Sequence, residues 1–266
     1  MTNTELEAVT RLNRDIRDAA KTLDRKEARF LVDAYYIAQE NRIRADGQIR
    51  AMADEPNNVL NWLSDQNTTL ETQLKGALDK YTAAQPIGQW ARSIKGVGPV
   101  IAAGLIAHID INKAATVSQI WRYAGLDPST KWNKGEKRPW NADLKVLCYK
   151  LGESFVKTSG YDDAFYGKVY RVKKDELTAK NDAGGFAETA ARSVYGEKTQ
   201  AAKHVAAGRL PPAQIHARAR RYAVKLFLSH FHAKWRELEG LPVPVPYAIA
   251  HLEHAHMIDV PDGSMK

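Results

Sequence analysis

Cysteine is nearly absent from this 266-residue chain, where Cys148 stands alone. A single thiol cannot close an intramolecular disulfide, which excludes a disulfide-built scaffold and suits a reducing compartment. Cys148 lies in the apolar stretch Leu144–Leu151 and reads as core rather than as a nucleophile. Long apolar runs are missing too. No segment approaches the length of a membrane span. The opening residues Met1-Thr2-Asn3-Thr4-Glu5-Leu6 are polar and lack the apolar core of a signal peptide. The expectation is a cytoplasmic chain with no membrane partner. Acidic side chains are in deficit, at 31 against 39 Lys plus Arg, a formal charge of +8. That balance favours a polyanion such as DNA or RNA. With 44% hydrophobic and 26% charged residues, wholesale disorder is excluded.

What the chain does have is helical periodicity. Thr4 reads as an N-cap ahead of Leu6, Val9 and Leu12 at helical spacing. Asp24 reads as a second cap, followed by an apolar stripe of Phe30, Ala34, Ile37, Ile43 and Ile49. The other face of that helix carries Arg25, Lys26, Arg29, Arg42, Arg44 and Arg50. Such a row is either a solvated surface or a phosphate-tracking face. Glu55-Pro56-Asn57-Asn58 breaks the pattern, and a third helix follows over about 59–81, with Leu60, Leu63, Leu70, Leu74 and Leu78 expected to face inward. The fold class is all-α, a helical bundle with a helix-hairpin-helix at its centre. The expected organisation is an N-terminal helical region over 1–84, the hairpin domain over 85–177, and a basic helical region over 178–266.

The most informative stretch runs Gln89-Trp90-Ala91-Arg92-Ser93-Ile94-Lys95-Gly96-Val97-Gly98-Pro99-Val100-Ile101-Ala102-Ala103. A short helix should end at Lys95, Gly-Val-Gly should turn, and Pro99 should start a second helix, where its missing N–H costs nothing. Gly96 and Gly98 are expected to adopt backbone conformations closed to other residues and to admit a close ligand. The first amides of the second helix, Val100 among them, lack partners and carry the positive end of the helix dipole. With Lys95 beside them they would bind a phosphate regardless of base. The expected nucleic-acid contacts are Arg92, Lys95, Gly96, Val97, Gly98 and Val100, extended by Lys131, Trp132, Lys134, Lys137, Arg138 and Lys145. A plain helix–helix turn in a protein-binding adaptor is the competing reading.

Val97-Gly98-Pro99, followed downstream by Tyr123-Ala124-Gly125-Leu126-Asp127-Pro128, resembles the C-terminal domain of transposases of the IS110/IS116/IS902 family. The resemblance spans roughly residues 90–155. It implies a nucleic-acid partner and a mobile-element or phage setting. Two features of that family have no counterpart here. No Asp-bearing strand pattern suggests its RuvC-like nuclease domain. Its nucleophilic serine, expected ahead of a Gly- and Lys-containing turn, is replaced by Lys131-Trp132-Asn133-Lys134-Gly135. Ser129 lies a few residues early and is the weak catalytic candidate. The chain therefore reads as a nucleic-acid binder first and a recombinase-related enzyme second.

Residues 131–180 carry a local charge of +5, interleaved with Trp132, Trp140, Tyr149, Phe155, Tyr161, Phe165, Tyr166 and Tyr170. Exposed rings among cations suit stacking on unpaired bases, although most of these rings should be core. Trp132, in a polar loop, is the ring expected outside. Residues 178–210 are poor in large apolar side chains and read as a flexible excursion. Pro211-Pro212 should open a long helix to about Glu239, with Gly240 stopping it. Its inward stripe is Ile215, Ala219, Tyr222, Ala223, Leu226, Phe227, His230 and Trp235. Seven of the eight histidines lie between His204 and His256. His230, His232, His251, His254 and His256, with Asp259, could hold a divalent metal, though no cofactor is required. Amphipathic helices of this length also suit a homodimer.

Overall fold

In the computed structural model, residues 11–52, 58–244 and 258–261 are described, and every regular element among them is helical. The all-α expectation holds. No helix among these residues is long and apolar enough to cross a membrane. The expected Thr4 cap and the break at 55–57 lie outside the described residues. The chain divides into two units. One takes the chain up to Arg92 together with Gly98–Asp110; the other takes Ser93–Val97 and everything from Ile111 on.

In the first unit, α1 (Arg14–Ala19) is capped by the Asn13 side chain and leads through a short 3-10 turn to α2 (Arg25–Ala51). Asp24 starts α2 as the sequence suggests. Its carboxylate accepts from the Lys26 and Glu27 amides at 2.7 and 2.8 Å, and the Glu27 side chain accepts from the Asp24 amide at 2.7 Å. This reciprocal box satisfies donors a helix cannot satisfy itself. Then come α3 (Asn58–Ala83), α4 (Pro86–Ser93) and α5 (Pro99–His108). Helices α2 and α3 pair along their length, and α5 packs against both.

The faces of this pair differ from expectation. α2 buries Ala28, Val32, Ala38 and Ala45, while Phe30 is 73% and Ile37 60% exposed, and Ile43 is exposed as well. On α3, Leu78 is buried but Leu63 and Leu70 are exposed. The reason is the seam. Small residues let the helices approach, and polar groups bridge the rest: Arg42 pairs with Glu71 at 2.7 Å, and Gln39 donates to Glu71 at 2.9 Å. Phe30, Ile37, Ile43, Leu63 and Leu70 lie off this seam and stay outside.

The second unit contains α6 (Val117–Tyr123), α7 (Ala142–Thr158), α8 (Phe165–Asp182), α9 (Ala187–Ala191), α10 (Gln200–Ala206) and α11 (Pro212–Leu238). Its core is where α7 and α8 meet α11. Phe155 stacks on Tyr166 with ring centroids 5.0 Å apart, and Phe227 tilts against Phe155 at 5.6 Å. Full burial of each such ring contributes roughly 1.5–3 kcal/mol. Cys148 is buried among them, which pushes its thiol up to about 12 and leaves it unreactive at neutral pH. Of the eight rings named over 131–180, Phe155, Tyr166 and Tyr170 are buried and Trp132, Tyr149 and Tyr161 are exposed, fewer inside than expected.

The segment 178–210 carries α9 and α10 and is fastened at its ends. The Asn181 amide donates to the Leu210 carbonyl at 3.0 Å, and the Leu210 N–H donates back at 2.8 Å. Ala190, Leu210 and Ile215 form a small core there, with Leu177 and Phe186 packed on it. Asn181→Ala would leave a buried N–H and C=O without partners. Urea unfolding should show a loss of about 2 kcal/mol or more, and limited proteolysis should begin within 183–209. An unchanged midpoint would show that the fastening contributes nothing.

Candidate nucleic-acid interface

The turn between α4 and α5 is built as its residues dictate. Val97 N–H donates to the Ile94 carbonyl at 3.0 Å and closes the turn. Gly96 has φ +95°, a region L side chains avoid, and a Cβ there would lie 3.1–3.4 Å from Thr158, Phe155 and Ser154. The Ser154 hydroxyl donates to the Gly96 carbonyl at 2.6 Å. Gly96 is therefore required by conformation and by crowding.

Gly98 is not, which corrects the expectation. It has ordinary extended backbone, φ −87° and ψ 173°, at the N-cap of α5. Nothing lies within 4 Å of where its Cβ would be, and the residue is exposed. As a glycine it offers no capping side chain to α5. Pro99 lacks an N–H, so Val100 and Ile101 supply the first amides of the helix, beneath the open space at Gly98. The side chains of Val97 and Val100 themselves are buried.

The two basic residues of the hairpin have protein partners. Arg92 donates to the Asp79 carboxylate and, at 3.2 Å, to the Asp79 carbonyl. Lys95 pairs with Asp163 at 3.2 Å, its ammonium 4.5 Å from the centre of the Tyr161 ring. Much of the basic row on α2 is occupied too: Arg25 pairs with Asp110, Arg29 donates to the Ala107 carbonyl, Arg42 pairs with Glu71 and Arg44 with Glu40.

The loop before α7 is different. Lys131, Trp132, Lys134, Lys137 and Arg138 are all exposed, Trp132 at 44%. Trp132 Nε1 donates to the Glu136 carbonyl at 2.8 Å, and the Glu136 carboxylate accepts from Asn133, so the loop is internally braced. Arg138 lies 5.1 Å from the centre of the Trp132 ring, and Lys145 sits 4.0 Å over Trp140. Trp132 and Trp140 meet edge to face at 6.0 Å. Burial, then the charges of Arg138 and Arg221, lower the Lys145 pKa. Arg221 on α11 is thus part of this electrostatic neighbourhood. Arg218, Arg221 and Lys225 recur at helical spacing, which is the signal in the sequence that groups them.

Ser129 is exposed, and its hydroxyl donates to Asp127 Oδ1 at 2.7 Å, while its amide donates to the same oxygen at 2.9 Å. Asp127 also pairs with Arg122, and these hydrogen bonds hold its carboxyl below the usual carboxylate range. His230 and His232 of α11 sit in the core. His230 Nε2 donates to the Ile258 carbonyl at 2.9 Å, leaving Nδ1 to accept from the Tyr166 hydroxyl at 2.8 Å. His232 Nε2 donates to the Ala114 carbonyl at 2.8 Å. Among the described residues no group of three or more His, Cys, Asp or Glu is placed to hold a metal ion. His251, His254 and His256 lie outside the described residues.

Residues 88–138 match the model of the transposase IS116/IS110/IS902 family. The match takes in α4, the turn, α5, α6 and most of the basic loop. No curated protein and no solved structure matches the chain.

Burial lowers the pKa of both His230 and His232 below the ordinary 6.5. A base with a lowered folded pKa takes up its proton more readily in the unfolded chain. Stability from this source is therefore complete above pH 6.5 and falls as the pH drops from 6.5 toward the folded values. Urea titrations from about pH 7.5 to about pH 5 should show the midpoint falling, less so for His232→Gln. A flat profile would place these imidazoles outside the core.

Proposed function

We propose that this chain grips the phosphate backbone of DNA through its helix-hairpin-helix, largely independently of sequence. The observation that carries the reading is the uncapped start of α5 under the exposed, sterically open Gly98. Backbone amides at a helix N-terminus favour an anion through their aligned dipole and their unpaired donors. A phosphate can approach Gly98 because there is no side chain to hold it off. Lys131, Lys134 and Lys137, exposed on the loop of the second unit, add cations that favour a polyanion. Lys95 and Arg92 act less directly, since each already faces a carboxylate.

A second reading, strand transfer by a recombinase-related enzyme, is favoured by the Ser129 hydroxyl on the Asp127 carboxylate. In that reading a divalent metal held by the C-terminal histidines would assist. Nicking of supercoiled DNA in the presence of a divalent metal, lost in Ser129→Ala or His254→Ala, would establish it. The exposed Phe30, Ile37 and Leu70 of the first unit favour a homodimer, which sedimentation of Phe30→Lys/Ile37→Lys would abolish.

The deciding measurement is fluorescence anisotropy with labelled duplex DNA, single-stranded DNA and structured RNA across a salt series. Gly98→Val should keep the fold, checked by circular dichroism, because its side chain enters open space. It should weaken duplex binding by roughly tenfold or more, as the loss of charge-assisted amide contacts requires. The slope of log affinity against log salt should stay unchanged, because amides displace no cation from DNA by carrying charge. Equal affinity in Gly98→Val, or no binding by the wild type, would refute the hairpin grip.

A further inference from the structure

The long helix α11 lies outside the residues that match the transposase family, yet it supplies cations to an exposed face of the second unit. Arg218, Arg221 and Lys225 recur at intervals of three and four, so they share one side of α11. Facing neighbours come from α7, which packs on α11. Lys145 feels both Arg138 and Arg221 as like charges, and Arg221 feels Arg218 and Arg220. Two nearby carboxylates are committed elsewhere: Glu153 holds Arg220, and Asp127 holds Arg122 while partly offsetting Lys225. Among the described residues, Arg138, Lys145 and Arg221 have no carboxylate partner.

Several of these cations are held in place. Lys225 sits 4.0 Å over Trp121, whose Nε1 donates to the Lys225 carbonyl at 3.3 Å. Lys145 sits 4.0 Å over Trp140, which lies against Gly125. Arg220 sits 4.1 Å over Tyr149. Seating a cation on a ring removes rotamer freedom before any ligand arrives, so less is lost on binding. Crowded, preplaced and unpaired cations are destabilising alone and are relieved by a polyanion.

We propose that Arg138, Lys145 and Arg221 form a second phosphate-binding face, carried by the loop, α7 and α11, that binds the backbone of duplex DNA. Duplex rather than single-stranded DNA fits because the rings of this face already carry cations. Stacking of unpaired bases needs bare ring faces. Phosphates need only the cations. This inference rests on the reading of the chain as a DNA binder but not on the hairpin.

The test is duplex affinity of the full chain across a salt series, for the wild type and for Lys145→Gln/Arg221→Gln. The two side chains are exposed, so the variant should fold and melt no earlier than wild type. Its affinity should fall tenfold or more at moderate salt, and its log–log salt slope should shrink by about two, since each neutralised phosphate contributes about 0.9. Lys198→Gln/Lys203→Gln removes the same charge from exposed positions on and beside α10 and should retain the wild-type slope. An unchanged slope in Lys145→Gln/Arg221→Gln overturns the face while Gly98→Val still reports on the hairpin. So does an equal loss in both double variants, which would mean bulk charge. Loss confined to structured RNA would overturn the assignment to duplex DNA. Absence of any wild-type binding would overturn both readings together.

Discussion

Gly96 stands in a left-handed backbone conformation with the Ser154 hydroxyl bonded to its carbonyl at 2.6 Å and the Phe155 ring against its α-carbon. Everything the chain offers to a phosphate at the hairpin follows from this contact. A left-handed residue reverses the chain in the fewest possible residues, and Val97 closes the reversal by bonding back to Ile94. Because α7 crowds Gly96, the turn cannot relax into a wider loop. The backbone therefore reaches Gly98 in extended form and Pro99 starts α5 at once. Hydrogen bonding and packing of a few atoms thereby fix the turn that precedes the first amides of α5, on which the proposed grip depends.

Electrostatics divide the molecule in a way that total charge conceals. The excess of cations is spread over a chain in which many are neutralised. Arg25, Arg42, Arg44 and Arg92 face carboxylates within their own unit. Exposed pairs of this kind contribute little to stability, typically under about 1 kcal/mol. Their larger consequence is to remove those arginines from the positive field. The loop 131–138, Lys145 and Arg221 have no such partners among the described residues. A net charge of +8 thus corresponds to a local field that is stronger on one face than the total suggests.

Sequence reasoning recovered features whose cause is local. Asp24 with Glu27, Pro212 after Pro211, and the Gly-Val-Gly turn each place a helix end by interactions within a few residues. It failed where the cause is distant. Periodicity identifies which residues share a face of α2, but not that the face carrying Phe30 and Ile37 has no neighbour. His230 and His232 have the spacing of possible ligands, yet a tyrosine 64 residues earlier and a carbonyl 118 residues earlier take their ring nitrogens. The cationic face was half legible. Arg138 and Lys145 stood out in a basic, aromatic stretch, while Arg221 needed the packing of α11 on α7 to join them.

The two glycines of the turn separate fold from ligand binding. Gly96 is demanded by the protein, since any side chain there strains the backbone and meets α7. Gly98 is demanded by nothing within the protein, where a side chain would enter open space. In the proposed grip, a phosphate that must approach the backbone closely would supply the missing reason. It also divides the affinity into two parts of different physical kind. In the proposed grip, amide dipoles at the start of α5 would hold a phosphate by short-range hydrogen bonds, which salt weakens little. Unpaired cations on the loop, α7 and α11 act through displaced counterions, which salt weakens steeply. A binder built from both keeps orientation from the first when ionic strength rises, and gains encounter rate from the second when it falls. The proposed grip is independent of sequence for both parts, because phosphate contacts do not read the edge of a base.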